Sequence, residues 1–289
     1  MTVITITRAG PLATLQDAGR FGMLAHGISA SGPMDTGAFE AAGVMLDRAG
    51  STAIEFTAAA LSFTADGPLR AACAGGNFKL SVNSNAREWP ARVGLVAGDT
   101  VEITPGPAGN YGYLRFGREI DIAPVLGSRS TNLAVGLGGL NGRALKAGDR
   151  IVFGEEGSVI AHAASAPRGG PIRVLWGLHA DLFDRAVRQR LVETIFRVSP
   201  TLDRMGVRLI DEDGLFQTQR KLSLVSDAIV AGDIQILGDG TPIVLMRDHQ
   251  PTGGYPRVAT VVTADLDRLA QLRPGSEVSF QPVTLEHAR

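Results

Sequence analysis

The segment Arg247-Asp248-His249-Gln250-Pro251-Thr252-Gly253-Gly254-Tyr255-Pro256 places a guanidinium, a carboxylate, an imidazole, a carboxamide, two glycines and an aromatic ring side by side. Sparser mixtures of the same kind occur at Gln16-Asp17-Ala18-Gly19-Arg20, Ser31-Gly32-Pro33-Met34-Asp35, Gly127-Ser128-Arg129-Ser130-Thr131-Asn132 and Asp203-Arg204. Brought together, Asp17, Asp35, Asp203 and Asp248 with Arg20, Arg129, Arg204 and Arg247 could bind a small carboxylate or carbamoyl compound and polarise it. Guanidinium forks match carboxylates bidentately, and fixed donors stabilise developing negative charge. His249 or His26 could move protons near neutral pH. Taken singly, each histidine is read as a structural hydrogen-bonding residue before a catalyst, and the 247–256 segment is equally open to being a polar hairpin turn held by Asp248 and Thr252. No His-x-x-x-His or His-Glu-x-x-His spacing is present and Gly-x-Ser-x-Gly is absent, so we expect neither a protein-held metal nor a serine nucleophile. The Gly136–Arg143 run is glycine-rich, yet it lacks the Gly-x-x-x-x-Gly-Lys-Ser/Thr pattern that cradles nucleotide phosphates.

These groups need a scaffold, and glycine at 36 residues with short β-branched runs predicts one that is mainly β. Strands are expected at Thr2–Arg8, Ala53–Thr57, Leu61–Ala65, Leu69–Ala74, Phe78–Val82, Thr100–Ile103, Tyr111–Phe116, Ile172–Gly177, Pro242–Met246 and Val258–Val262. Met34, Ala38, Ala41, Ala42, Met45 and Leu46 recur at helical spacing, with Pro33 in the first turn and Gly50 as a stop. Asp35 would then stand at the helix N-terminus, either stabilising that turn or meeting a ligand there. A second helix is expected from a cap at Asp184 to about Phe196, and a third from a cap at Thr263 through Leu269. The turns Leu95–Val101, Leu145–Ile151 and Leu272–Val278 repeat one design, an apolar residue, a glycine-centred turn and a strand, and are read as architecture. Composition shifts to Ala, Ser, Gly and Pro between about 156 and 171, which places a linker there and divides the chain into lobes at 1–160 and 170–289, with terminal strands free to cross between them.

The net charge of −1, with 44% hydrophobic and 20% charged residues, provides no global field for nucleic acid or an anionic membrane, so neither is an expected partner. Of the 28 basic residues only Lys79, Lys146 and Lys221 are lysines, a bias that suits carboxylate or phosphate recognition. Cys73 alone allows no internal disulfide, and no apolar run approaches the ~20 residues that span a bilayer. The expectation is a cytoplasmic protein.

At the polar loops the chain resembles the family variously called the 5-oxoprolinase C subunit, allophanate hydrolase subunit 2 or biotin-dependent carboxyltransferase domain protein. The resemblance rests on Leu15–Gly22, Ser31–Asp35, Leu126–Thr131, Val198-Ser199-Pro200 with Asp203–Gly206, and Gln250–Pro256. It implies two cyclophilin-like β-barrel lobes with a few short helices. It also implies a heteromeric complex with two separately encoded companions, a B-like protein of similar fold and an A-like protein. The implied activity is ATP-dependent opening of 5-oxoproline to glutamate, with ATP at a partner interface. Alternatives are the carboxyltransferase component of a urea-type carboxylase, with biotin supplied by another protein, and a regulatory binder of a kinase-inhibiting partner. On the first reading Arg20, Arg129 and Arg204 bind an anion or carbonyl, and Asp203 and Asp248 orient them. Gln250, Thr252, Gly253 and Tyr255 then form the pocket with Ser31 and Asp35, and His249 is the acid/base. Two departures bear on substrate: Asp248-His249-Gln250-Pro251 stands where the family carries Asp-Arg-Gln-Thr, and Gly177-Leu178-His179 where it carries Gly-Pro-Gln.

Overall fold

The computed structural model describes residues 1–160, 169–217 and 224–288. The chain divides into two compact units, Met1–Phe21 with Ala30–Ala166, and Gly22–Ser29 with Pro167–Arg289. The segment expected as a linker starts as ordered structure, because Ser158–Val159 pairs with Arg48–Ala49; residues 161–168 of it lie outside the described residues.

Among the described residues the first unit is built on two large antiparallel sheets, beside the short Arg48–Ala49/Ser158–Val159 pair. One runs in the order Arg118–Ile120, Arg150–Glu156, Thr2–Arg8, Leu61–Ala65, Thr100–Pro105, Phe78–Val82, Asn85–Arg87, and the other Thr14–Gln16, Ala53–Thr57, Tyr111–Phe116, Leu69–Gly75, Ala91–Leu95. Alternation decides the inward face: Leu61, Phe63 and Ala65 are buried while Ser62 and Thr64 are half-buried. These side chains join Ile4, Ile6, Ile54, Phe56, Leu114 and Phe116 in one core cluster. Tyr111–Phe116 breaks the alternation, being buried at every position. Its outer face is covered by the helix Thr36–Val44, whose Phe39 meets Tyr113 edge to face at 6.1 Å and lies under the Arg115 guanidinium at 4.4 Å.

The second unit is built on an eight-stranded sheet, ordered Glu277–Val278, Phe196–Leu202, Gly206–Ile210, Pro242–Leu245, Asp233–Ile236, Arg257–Val261, Ile172–Trp176, Phe280–Pro282, beside the short Asp227–Ala228/Thr252–Gly253 pair. Its two edge strands are separated in sequence by Ser279 alone, so the sheet must curl until its edges almost meet. All pairs are antiparallel except Ile172–Val174 with Phe280–Pro282. The mainly β, barrel-like class expected from sequence is therefore the class observed.

The repeated turn has the same use in both units. Gly98, Gly148 and Gly275 sit at φ +90°, +90° and +85°, where a Cβ is strained, and their N–H groups donate across to the carbonyls of Ala65, Ile6 and Val198.

Several local expectations are corrected. The first helix begins at Thr36, with Asp35 as the N-cap accepting from Ala38 N at 2.8 Å, so Pro33 precedes the cap. That helix ends at Val44, and Gly50 is glycine for another reason, since a Cβ there would stand 2.5 Å from the Arg118 carbonyl. The second helix is Arg185–Glu193, and Phe196 already opens a strand; Asp184 makes no side-chain cap bond. Thr263 is the first helical residue of Thr263–Ala270 and not its cap. Strands Asn85–Arg87 and Ala91–Leu95 carry too many polar and small residues to register as strands in the sequence.

Cys73 lies in the core of the first unit, 1% exposed, and burial pushes its thiol up to about 12. Since the thiolate is the reactive form, we predict that an alkylating or aromatic disulfide reagent leaves the folded chain unmodified at pH 8 and labels it stoichiometrically in denaturant. Rapid labelling without denaturant would contradict the packing described.

Candidate functional site

In the first unit three sequence-distant loops converge on Asp17. Its Oδ1 accepts from the Ser128 and Ser130 hydroxyls at 2.5 and 2.7 Å and from Gly19 N at 3.0 Å, while Oδ2 accepts from Arg129 N at 2.6 Å. Burial pushes this carboxyl up, but the four hydrogen bonds outweigh that and hold it below the ordinary aspartate value. Arg20, 1% exposed, spends its guanidinium on carbonyls, donating from Nε to Val125 and from Nη2 to Ser128 and Ser130. Gly138 packs so tightly against this group that a Cβ would fall 2.8 Å from Arg20 Nη2. Arg129 turns away, its Nε donating to the Ile122 carbonyl at 2.8 Å.

The third loop, Ala30–Asp35, is pressed onto the first. Arg20 N donates to the Ala30 carbonyl at 2.6 Å, and a Cβ on Gly32 would lie 2.9 Å from the Ala18 carbonyl. Ser31 is buried at φ +56°, and its hydroxyl finds no partner among the described residues. Beneath this loop Glu55 Oε2 accepts from Met34 N at 2.9 Å and from the Tyr113 hydroxyl at 2.7 Å, and that hydroxyl accepts from Asp35 N at 2.8 Å. Burial first, then the charges of Glu55 and Asp35, push the Tyr113 phenol well above its usual value, so it remains a neutral donor.

The second unit holds the remaining candidates. Arg204 and Asp248 form a buried bidentate pair, Nε to Oδ2 at 2.9 Å and Nη2 to Oδ1 at 3.1 Å, and Asp248 N donates to the Arg204 carbonyl. Asp203 accepts from Met205 N and Gly206 N, closing the turn that carries Arg204. His249 is 6% exposed, and its Nδ1 lies 2.7 Å from the Gln250 carbonyl. Because a carbonyl only accepts, Nδ1 carries the proton and Nε2 is left as the ring's basic nitrogen. Thr252–Gly253 pairs with Asp227–Ala228, so the loop is stitched to its own chain. The glycines serve that stitching: a Cβ on Gly253 would stand 2.6 Å from Gln235 Nε2, and one on Gly254 2.9 Å from the Leu224 carbonyl. Arg257 fastens the same region, donating to Asp227 Oδ2 at 2.6 Å and to the Ala228 carbonyl at 2.7 Å. His179 Nδ1 accepts from Arg257 N at 3.3 Å, and burial followed by the Arg257 charge lowers its pKa, which keeps it neutral. His26, exposed in the turn Leu24–His26, faces none of these groups with a recorded bond.

Where Asp203, Gln250 and Tyr255 border the sheet, a cavity of about 360 Å³ opens over a floor of Leu237, Ile243 and Leu245. Its size and mixture of apolar floor and few polar groups suit a small polar molecule. The candidates thus form two clusters, Arg20, Ser31, Asp35 and Arg129 in the first unit, and Asp203, Arg204, Asp248, His249, Gln250, Thr252, Gly253 and Tyr255 in the second. Sequence reasoning passed over Glu55, Tyr113 and Gln235. A glutamate inside the apolar run Ala53–Thr57 is the signal that points to Glu55, since a charge in a buried strand needs a reason. Among the described residues no three metal-ligating side chains cluster, and no helix is long and apolar enough to cross a membrane.

Residues 26–282 match the family described as carboxyltransferase domain, subdomain A and B. The chain is 36% identical to the 5-oxoprolinase C subunit of Escherichia coli K12 over 99% of its own length and 93% of that protein. It is 32% identical to the 5-oxoprolinase C subunit of Haemophilus influenzae over 96% and 90%. Among solved structures it superimposes on the urea amidolyase of K. lactis with a TM-score of 0.89 and 26% identity, covering 99% of this chain but only 19% of that enzyme.

Proposed function

Because the chain belongs to the carboxyltransferase-domain family of subdomains A and B, we propose that it is the C subunit of a heteromeric 5-oxoprolinase, opening the ring amide of 5-oxoproline to glutamate with consumption of ATP. The observation that carries this reading is the match to the 5-oxoprolinase C subunit across almost the full length of both chains. The cavity bordered by Asp203, Gln250 and Tyr255 is where the substrate is proposed to lie, with the Arg204–Asp248 pair fixing the loop that presents Gln250 to it; His249 is the next residue back along that loop and is not itself in the cavity lining. His249 is proposed as the proton carrier, through Nε2. Two companions, one B-like and one A-like, complete the enzyme.

ATP does not fit the cavity that brings Arg190 and Arg197 together. The cavity of about 440 Å³ that contains Arg190 and Arg197 is also lined by Glu193, Glu212, Asp213 and Glu277, and such carboxylates repel a triphosphate. No step is therefore assigned to a nucleotide in that cavity, and ATP is proposed to bind at a partner interface. A second reading, transfer of a carboxyl group in a urea-type carboxylase, draws on the superposition with urea amidolyase. None of the three lysines has a methionine neighbour, so biotin would arrive on another protein.

ATP turnover by the chain with its companion subunits discriminates the readings. We expect stimulation by 5-oxoproline and none by urea with biotin. We also expect His249→Ala to lower kcat at least tenfold, because it removes the group proposed to carry the proton. His249→Arg, which installs the residue the family carries at this position, is the parallel control, and equal turnover by it would show that the loop does not act through an imidazole. Stimulation by urea and biotin alone would replace the first reading by the second.

A further inference from the structure

The cavity floor of the second unit carries a pair of side chains that the polar motifs do not contain. Strand pairing sets Arg208 opposite Ile243, and Ile243 opposite Gln235. Residues directly opposite in antiparallel strands project from the same face, so Arg208 and Gln235 stand at the two ends of one cross-strand row, with backbones roughly 10 Å apart. Both line the cavity, and Ile243 forms the floor between them.

Gln235 is placed with some care by its surroundings. The register of its strand shifts between Ile234 and Gln235, and such a bulge re-aims the side chain that follows. The residue is 1% exposed, and its one recorded side-chain hydrogen bond is long, 3.4 Å from Nε2 to the Tyr255 carbonyl. A buried carboxamide has two donors and two acceptor lone pairs, and leaving them unmade is costly. Gly253 packs beside the same amide, where an added Cβ would stand 2.6 Å from Nε2. Arg208, at the far end of the row, is half-buried and makes no close ion pair among the described residues, the Asp239 carboxylate being the charge recorded to interact with it at longer range.

We propose that Gln235 and Arg208 form a clamp for a cyclic amide that carries a carboxylate, Gln235 pairing with the ring amide and Arg208 with the carboxylate. The chemistry is specific. A ring of five atoms forces its amide into the cis form, so N–H and C=O lie on one edge, and a primary carboxamide meets that edge with one donated and one accepted hydrogen bond. A linear amide is trans and cannot make both bonds at once. The guanidinium fork holds the carboxylate bidentately at the other end, and the apolar floor accommodates the ring methylenes. This deepens the 5-oxoprolinase reading and rests on it for the identity of the substrate.

The test crosses substrate changes with residue changes, in the reconstituted complex of full-length subunits. Substrates are 5-oxoproline, its N-methyl derivative, which lacks the lactam N–H, and its carboxamide, which lacks the negative charge. The wild-type complex should show KM raised about tenfold or more by each modification, as for a site built to hydrogen-bond its ligand. Gln235→Leu should raise KM for 5-oxoproline about tenfold and become indifferent to N-methylation while still preferring the acid to the carboxamide. Arg208→Gln should show the reverse pattern. A merely structural role would raise KM for every substrate alike, and retained discrimination against the N-methyl derivative in Gln235→Leu would overturn the proposal while leaving the 5-oxoprolinase reading intact. Calorimetric titration of 5-oxoproline into the wild-type complex and the two variants separates the remaining cases. Binding lost in both variants, without wild-type turnover, upholds the clamp and rejects the hydrolase reading; absence of binding to the wild-type complex overturns the clamp.

Discussion

Arg204→Ala is expected to destabilise the second unit by about 3–5 kcal/mol, because it strands the Asp248 carboxylate in a site where water does not reach it. The two side chains are 3% and 2% exposed and are joined by two short hydrogen bonds, so neither can be rehydrated without opening the Asp203–Gly206 turn. Asp248→Ala leaves a buried guanidinium and should cost a similar amount. The double variant Arg204→Met/Asp248→Leu removes both charges and should recover a large part of the loss, so the two single costs will not add. Urea unfolding of the four proteins gives the numbers. Single-variant costs below about 1 kcal/mol would mean that the pair behaves as a surface salt bridge and does not hold the His249 loop.

Asp17→Asn should be nearly as damaging to the first unit, at about 2–4 kcal/mol, since the amide nitrogen of asparagine would face donors where the carboxylate now accepts from four. The substitution also changes the acid limb of stability. The folded carboxyl titrates below the ordinary value of 3.8, so its contribution is fully present above that value and is lost as pH falls through the lower folded value. The wild type should therefore lose stability steeply as pH drops below 3.8, and Asp17→Asn should show a shallower slope over the same interval. Parallel slopes from pH 5 to pH 2.5 would contradict the hydrogen-bonding described. Because Asp17 ties the 127–131 loop to the 15–20 loop, the variant should disturb both together.

How far the molecule was legible in its sequence depended on what each stretch had to satisfy. Strands buried on one face announced themselves, as Leu61–Ala65 does by strict alternation and Thr2–Arg8 by its β-branched run. Ala91–Leu95 did not, because an edge strand alternating half-buried and exposed residues needs little apolar content. Helix limits failed where capping by side chains was assumed and is not used, at Asp184 and Thr263. The polar loops were found by their composition, but their uses were not. Arg20 reads as an anion ligand and is instead a clasp for three carbonyls, a role fixed by loops more than a hundred residues away. Asp35 served as the helix cap, the plainer of its two readings. Gln235 carried no motif at all, and only strand register and the bulge before it reveal which face it occupies.

The proposed function is tested most directly by release of labelled glutamate from labelled 5-oxoproline by the companion proteins, with and without this chain. ATP-dependent glutamate formation is expected only when the chain is present, in constant ratio to the ATP consumed. Equal glutamate formation without the chain, or ATP consumption by the full complex with no glutamate, would contradict the proposed role.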